Sequence, residues 1–389
     1  MIVIDERIKK YEGLVKDLRR ELHKIPETGF DVYKTRTLVI DHLNKNNIEV
    51  IDGYGKTAVL GLIKGKNQNE TIAFRADMDA LNVTEETNRD FKSIHQGHMH
   101  ACGHDGHMAA LLGFASYLNE VKEHLEKNIL LVFQPAEEGP GGAEVIVNEN
   151  VFEKYNVKEI YGMHLYPNVE EGKIAVKAGP LMAQNGEFDI IIEGKSAHGA
   201  QPHNGVDAIV AAAEYITNVQ SILPRFINPI EPGVVTIGKI TGGERCNVIP
   251  KHVLLEGTIR TFSAEVYNTI KDKLNDFAKS IEIGHGCKVQ PVFRDMYPAV
   301  NNDEHLYNDF IEAVGVDNTE KIDPQMLSED FAFYQTRVPG IFFFMGTRNE
   351  KEGFVHSLHH ASFDFDEKVL VDVIQTYVNV LRHKNIIKA

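Results

Sequence analysis

Short apolar runs alternate with segments of helical period along most of this 389-residue chain, and that alternation constrains the fold more than any other feature. Residues 58–63, 71–74, 128–133, 159–164 and 341–345 form apolar runs of strand length, too short for helices. Between them, residues 5–24 carry Ile8, Tyr11, Leu14, Val15, Leu18 and Leu22 at helical spacing with charges between. Residues 37–43, 105–118 and 367–382 read as further helices. Strands alternating with helices predict an α/β sheet covered on both faces.

Near residue 183 the order changes. A strand at 187–193, a helix at 206–223, strands at 234–240 and 253–261, a helix at 263–283 and a strand at 288–294 spell β-α-β-β-α-β, a ferredoxin-like unit. The expected organisation is a larger α/β domain, residues 1–182 and 296–389, with a ferredoxin-like domain of residues 183–295 inserted in it.

Composition narrows the partners. A net charge of −15 makes nucleic acid and anionic membrane poor partners for the whole chain. No run approaches the roughly 20 apolar residues of a membrane span. The first residues lack the apolar core of a signal peptide, so a cytoplasmic location is expected. Three cysteines, Cys102, Cys246 and Cys287, are too few for a disulfide framework. Histidine is plentiful, and His95, His98, His100, His104 and His107 crowd around Cys102.

Chemistry-bearing side chains collect where the apolar runs end. The string His100-Ala101-Cys102-Gly103-His104-Asp105-Gly106-His107 combines the preferred ligands of Zn and similar ions. Gly103 and Gly106 are expected to let the backbone turn so that these side chains converge. Gln134-Pro135-Ala136-Glu137-Glu138-Gly139 ends a buried run in adjacent carboxylates. In extended backbone the two point to opposite sides, so one can hold a metal while the other faces a substrate as base. Asp77 and Asp79 follow another run, His164 ends a third, and His356, His359 and His360 follow a fourth. Taken singly, an acidic loop, an Asx turn or a structural histidine would account for each. Together, five strand ends supplying Asp, Cys/His, Glu/Glu, His and His predict a metal centre in the larger domain.

In the smaller domain His198 follows a strand, and Asn247 and Arg260 lie on or near others. A guanidinium suits bidentate recognition of a carboxylate, although a strand arginine is as readily a surface residue. Ser328, Glu329 and Asp330 read as a helix N-cap with first-turn acids.

These strings, in this order, resemble the aminoacylase, hippurate hydrolase and carboxypeptidase family of two-metal peptidases. The nearer likeness is to its N-acyl amino acid amidohydrolases, which include hippurate hydrolases, indole-acetyl amino acid hydrolases and N-acetyl-diaminopimelate deacetylases. The resemblance runs from Arg20-Glu21-Leu22-His23 to Asp366-Glu367. It implies a metallopeptidase-type α/β catalytic domain with an inserted ferredoxin-like lid used for dimerisation. It also implies two divalent ions per subunit (Zn or Mn, with Co possible) held by Cys102, His104, Glu138, His164 and His359.

By the same resemblance Glu137 is the general base, Asp77 and Asp79 are site aspartates, and His198 is a transition-state contact from the lid. Asn247 and Arg260 would bind the substrate carboxylate. The implied activity is amide cleavage of a small N-acyl amino acid, or of a short peptide if the chain is a dipeptidase or carboxypeptidase, by a homodimer or higher homo-oligomer. A non-catalytic metal- or ligand-binding protein would need the ligands but neither Glu137 nor His198. Asn82, where proline is usual, and residues 87–90 depart from the family pattern and bear on the substrate.

Overall fold

In the computed structural model, which describes residues 2–388, the apolar runs pair into a mixed eight-stranded sheet. Across it lie Glu49–Ile51, Val59–Ile63, Lys127–Gln134, Asn67–Asp77, Val157–Glu170, Gly340–Arg348, Ile174–Ala175 and Thr319–Glu320. The middle four run parallel. Strands of a parallel sheet are buried on both faces, which is why they read as unbroken apolar runs rather than alternating ones. This sheet belongs to a unit made of the residues up to Leu181, Asn301–Asp323, and those from Asp330 onward.

On one face the register pairs Phe74 with Tyr161, whose rings stack at 5.5 Å, and Phe114 and Tyr377 close over Phe74 from two helices. Those helices are His104–Val121 and Val369–His383, joined by Glu12–His23. His104–Val121 is buried from His104 through Leu118, so it has no polar face. Its neighbours come close at Gly113, where a Cβ would lie 2.4 Å from a Val15 methyl and 2.7 Å from Ile374 Cδ1.

The helix expected over 5–24 is two, Glu6–Lys9 and Glu12–His23. Asp5 caps the first by accepting from the Arg7 amide at 2.9 Å. The break at Lys10 and Tyr11 lets the Tyr11 ring turn inward, with its hydroxyl on Glu120.

The second unit comprises Met182–Val300 and Pro324–Glu329. Its antiparallel sheet has the order Gly233–Gly242, His252–Thr261, Gln184–Glu193, Lys288–Asp295. Numbered along the chain, these are strands two, three, one and four, the ferredoxin-like arrangement. Ala208–Val219 and Ala264–His285 share a core with the sheet around Phe188, Tyr215, Leu255 and Leu274. The first helix starts later than its apolar period suggests, because Asp207 caps it by accepting from the Ile209 and Val210 amides. Pro324–Glu329 joins this unit through the Ala183 amide, which donates to the carbonyls of Gln325 (3.1 Å) and Leu327 (2.8 Å). Among the described residues no helix is long and apolar enough to cross a membrane.

The helix contacts give a paired expectation. Gly113→Ala overpacks the three-helix contact and should cost ~1–3 kcal/mol. Gly13→Ala, where a Cβ would meet nothing within 4 Å, should instead stabilise by ~0.4–1 kcal/mol. Urea unfolding of both variants checks the difference in sign.

Candidate metal centre

The parallel strands bring their functional ends to one level. Asp77 sits opposite Gln134, and Arg75 opposite Gly162, so two residues further on Asp77 is level with His164. Arg75 is fully buried and fans out over three acceptors: Nη1 to Asp77 Oδ2 at 2.8 Å, Nε to Gln134 Oε1 at 2.9 Å, and Nη2 to Asp330 Oδ1 at 3.0 Å. Asp330 also accepts from Gln134 Nε2 at 2.8 Å and from the Ala143 amide at 3.0 Å. Asp330 is therefore an interior carboxylate, not part of a helix N-terminus. The short helix there is Ala332–Gln335, and Phe331 precedes it. A buried guanidinium needs carboxylates around it, and that demand turns Asp330 inward.

Gly103 has φ +85°, so helix His104–Val121 begins at His104 itself. Three residues apart, His104 and His107 share a helix face, with ring centroids 5.2 Å apart. Gly106 serves space rather than turning: a Cβ there would lie 2.7 Å from the Phe365 ring and 2.8 Å from a Leu165 methyl.

His104 Nδ1 donates to the Asp79 carbonyl at 2.8 Å, leaving Nε2 with its lone pair, buried and without a hydrogen-bond partner. His164 Nδ1 donates to the Leu165 carbonyl at 2.7 Å, and its Nε2 lies 3.3 Å from Cys102 Sγ. His107 differs. Its Nε2 accepts from the Leu165 amide at 3.0 Å, so Nδ1 carries the proton that meets Asp77 Oδ1 at 2.6 Å. Both its nitrogens are committed, and it supports the site rather than offering a lone pair.

The two glutamates are held by their backbone. Asp79 accepts the Glu137 amide on Oδ1 at 2.9 Å and the Glu138 amide on Oδ2 at 3.1 Å. Ala136 just before them has φ +59°, and His359, whose Nε2 is 3.2 Å from Glu138 Oε1, has φ +65°. Left-handed backbone is unfavourable for such residues, and strain of this kind gathers at functional sites. The His359 amide is tied to the Ala101 carbonyl at 2.8 Å. The other crowded histidines turn elsewhere. His95 Nδ1 bonds the Pro26 carbonyl at 2.8 Å, and exposed His360 stacks on His356 at 4.4 Å.

Burial lowers the basicity of His104 and holds that of His164 well below the usual imidazole range. Burial, with Glu138 and Glu137 nearby, pushes the Cys102 thiol well up. Burial likewise pushes Asp79 up, with Glu138 and Asp77 adding to it. Burial works on Asp77 in the same direction, but His104, His107 and Arg75 outweigh it and hold Asp77 well below the usual carboxylate range.

The donors fit a cation. Cys102, His104 and His164 offer ligand atoms all within 4.8 Å of one another; so do Cys102, Glu138 and His359, and so do His104, Glu137 and Glu138. His104 Nε2 is buried without a hydrogen-bond partner, which interior polar atoms seldom are. The mixed N, S and O set suits Zn and its neighbours.

In the second unit, His198 pairs with Val248 in a two-residue ladder, and the Gly199 amide donates to the Asn247 carbonyl at 2.8 Å, so His198 and Asn247 are neighbours. His198 Nδ1 accepts from the Ala200 amide at 3.1 Å, leaving an exposed Nε2–H donor. Arg260 lies on strand His252–Thr261 opposite Asn185, half-buried, with Nη1 on Ser328 Oγ at 2.9 Å. Among the described residues no carboxylate forms an ion pair with it, and Glu187 acts on its charge only from further off.

Residues 73–383 match peptidase family M20/M25/M40. An N-acetyldiaminopimelate deacetylase of Bacillus pumilus is 39% identical over 370 residues, 94% of this chain and 95% of that one. A protein of the same name from Listeria innocua is 38% identical over 371 residues, 94% and 98% of the two chains. Among solved structures, a putative aminohydrolase from methicillin-resistant Staphylococcus aureus aligns with TM-score 0.93 and 32% identity over 98% of both chains. A Bacillus subtilis dinuclear metal binding peptidase from the M20 family aligns with TM-score 0.83 and 34% identity over 96% and 98%. Fold and strand-end donors together define a hydrolase of amide bonds. The chain belongs to peptidase family M20/M25/M40.

One group beside the centre gives a pH expectation. His23 is buried with Nδ1 2.8 Å from Asp105 Oδ2 and Nε2 3.3 Å from Glu85 Oε1. Burial opposes its charge, but Asp105 and Glu85 outweigh burial and raise its pKa from 6.5 to about 9. A raised pKa stabilises the folded state fully below about 6.5, and that contribution is lost as pH rises through about 9. The loss should be on the order of 3 kcal/mol. Urea unfolding at several pH values should show this slope, and His23→Asn should lack it.

Proposed function

We propose that this chain hydrolyses the amide bond of N-acyl amino acids, releasing a carboxylic acid and a free amino acid. The names of its relatives point to acetyl as the acyl group. The observation that carries the reading is the convergence of Cys102, His104, Glu138, His164 and His359, with Glu137 next to Glu138 on the same clamped loop. Those five residues would hold two divalent ions, of Zn, Mn or Co. When bound, such ions polarise an amide carbonyl and lower the pKa of a nearby water towards about 7.

The chain's own residues do the rest. Glu137 takes the proton of the attacking water on its carboxylate and passes it to the departing nitrogen. Asp79 fixes both glutamate amides, and Asp77 fixes His107, so the site residues keep their places. His198 offers Nε2–H to the developing oxyanion. Asn247 and Arg260 receive the substrate carboxylate, for which a half-buried guanidinium without a carboxylate partner is suited. A cytoplasmic homodimer, or a higher homo-oligomer, is part of this reading.

Glu137→Gln should lose about 10²-fold or more in turnover while keeping its metal, the scale of general acid–base catalysis. Glu138→Gln should lose metal first. Metal content and kcat/KM on N-acetyl amino acids check the division, and equal metal loss in both variants would overturn it.

Arg260→Ala should weaken turnover of N-acyl amino acids by about 1.5–3 kcal/mol relative to their carboxamides, the worth of a charged hydrogen bond. The comparison needs only kcat/KM on the two substrate series. Equal impairment of acid and amide would remove Arg260 from substrate binding.

A further inference from the structure

Helix Glu12–His23 ends in two buried cations that the chemistry above does not use. Arg19 and His23 stand four residues apart on one helix face. Both reach Asp105 Oδ2, Arg19 through Nε at 3.2 Å and His23 through Nδ1 at 2.8 Å. Each then holds a second segment. His23 Nε2 lies 3.3 Å from Glu85 Oε1, and Glu85 also accepts the Ser93 amide at 2.7 Å and the Thr87 hydroxyl. Arg19 Nη2 donates to Asp364 Oδ1 at 2.6 Å, and its guanidinium lies 3.9 Å over the Phe365 ring.

These acceptors are placed beside the candidate ligands. Asp105 follows His104 directly in the first helical turn. Glu85 lies in the loop that continues from Asp79, and Asp364 in the loop that continues from His359. One helix face thus joins three segments that carry site residues. Stability alone is a poor reason for such a cluster, since well-packed apolar side chains often serve as well as a buried ion network. Asp105 Oδ1 is buried without a hydrogen-bond partner, so the two bonds at Oδ2 are what fix this carboxylate. The carboxylate in turn fixes the turn from which His104 projects.

We propose that Arg19 and His23 are positioning residues for the metal centre, clamping the His104 turn, the loop after Asp79 and the loop after His359 to one helix. The proposal rests on the metal reading above. Residues that orient ligands typically matter about 10–100-fold in metal affinity.

Two near-isosteric variants of the full chain separate the arms of the clamp. His23→Asn puts an amide nitrogen where Nδ1 was and keeps the Asp105 bond. His23→Gln puts it where Nε2 was and keeps the Glu85 contact. The probe is the rate at which each protein, loaded with Mn, Zn or Co alone, surrenders its metal to a chelator, with the metal-free melting temperature measured alongside. His23→Gln should lose metal about 10-fold faster than His23→Asn, with kcat falling and KM little changed. A merely structural role would shift the melting temperatures and leave the two metal-loss rates equal, and equal rates overturn the proposal. If His23→Gln gives no folded protein, Asp105→Asn weakens the same bond from the other side and carries the same expectation. Glu138→Gln serves as reference: wild-type metal retention by that variant would sink the metal assignment, whatever the clamp does.

Discussion

Arg75 has no solvent-exposed side-chain surface, and a charge so placed persists only if carboxylates close around it. Asp77 and Asp330 do so, and the geometry at the end of the sheet follows. With one Asp77 oxygen taken by Arg75, the other receives His107. That bond fixes the His107 tautomer, so its far nitrogen accepts the Leu165 amide and pins strand Val157–Glu170 to helix His104–Val121. His164 precedes Leu165 and shares the consequence. A fixed charge inside the sheet thus sets, through three side chains, where a neutral imidazole faces Cys102.

The glutamate loop obeys a different constraint. Its amides have no strand partner and are satisfied by a single carboxylate, Asp79, that grips two successive N–H groups. The loop must bend sharply to allow this, and Ala136 takes up left-handed backbone as a result. Glu137 and Glu138 therefore sit in a turn rather than in the extended backbone expected from the sequence, and their carboxylates do not point to opposite sides: with His104 they offer ligand atoms within 4.8 Å of one another.

Much of this was legible in the sequence because period and length are local. Parallel strands buried on both faces show as apolar runs, and the β-α-β-β-α-β order of the second unit shows in the same way. Glu138 and His164 were legible because they end or follow such runs, whereas Cys102 and His104 stood out as a Cys/His cluster and lie at the start of a helix rather than at a strand end. What escaped depends on contacts across long separations. Asp330 reads locally as a first-turn acid, and only Arg75 makes it an interior residue. An arginine inside an apolar run was the available signal that a buried carboxylate had to be found. Residue type alone does not separate His107 from His104; the Leu165 amide, which claims the His107 lone pair, does. Arg19 and His23 sit at ordinary helical positions, and their role appears only with Asp105, Glu85 and Asp364 around them. The two-residue strands Ile174–Ala175 and Thr319–Glu320 are too short to leave a period at all.

Strand Gly340–Arg348 lies inside the large sheet, yet it is made near the end of the chain: Phe344 pairs with His164. All of the second unit, Pro324–Glu329 included, precedes that strand in the chain and has by then been synthesised. As the protein leaves the ribosome, the smaller body can assemble its sheet while the larger one waits with an open, apolar strand edge at Val157–Glu170. Contacts of such long range form slowly, and an unpaired edge is prone to meet its counterpart on another nascent chain. The order in which this molecule is written thus leaves its own central sheet the last to be completed.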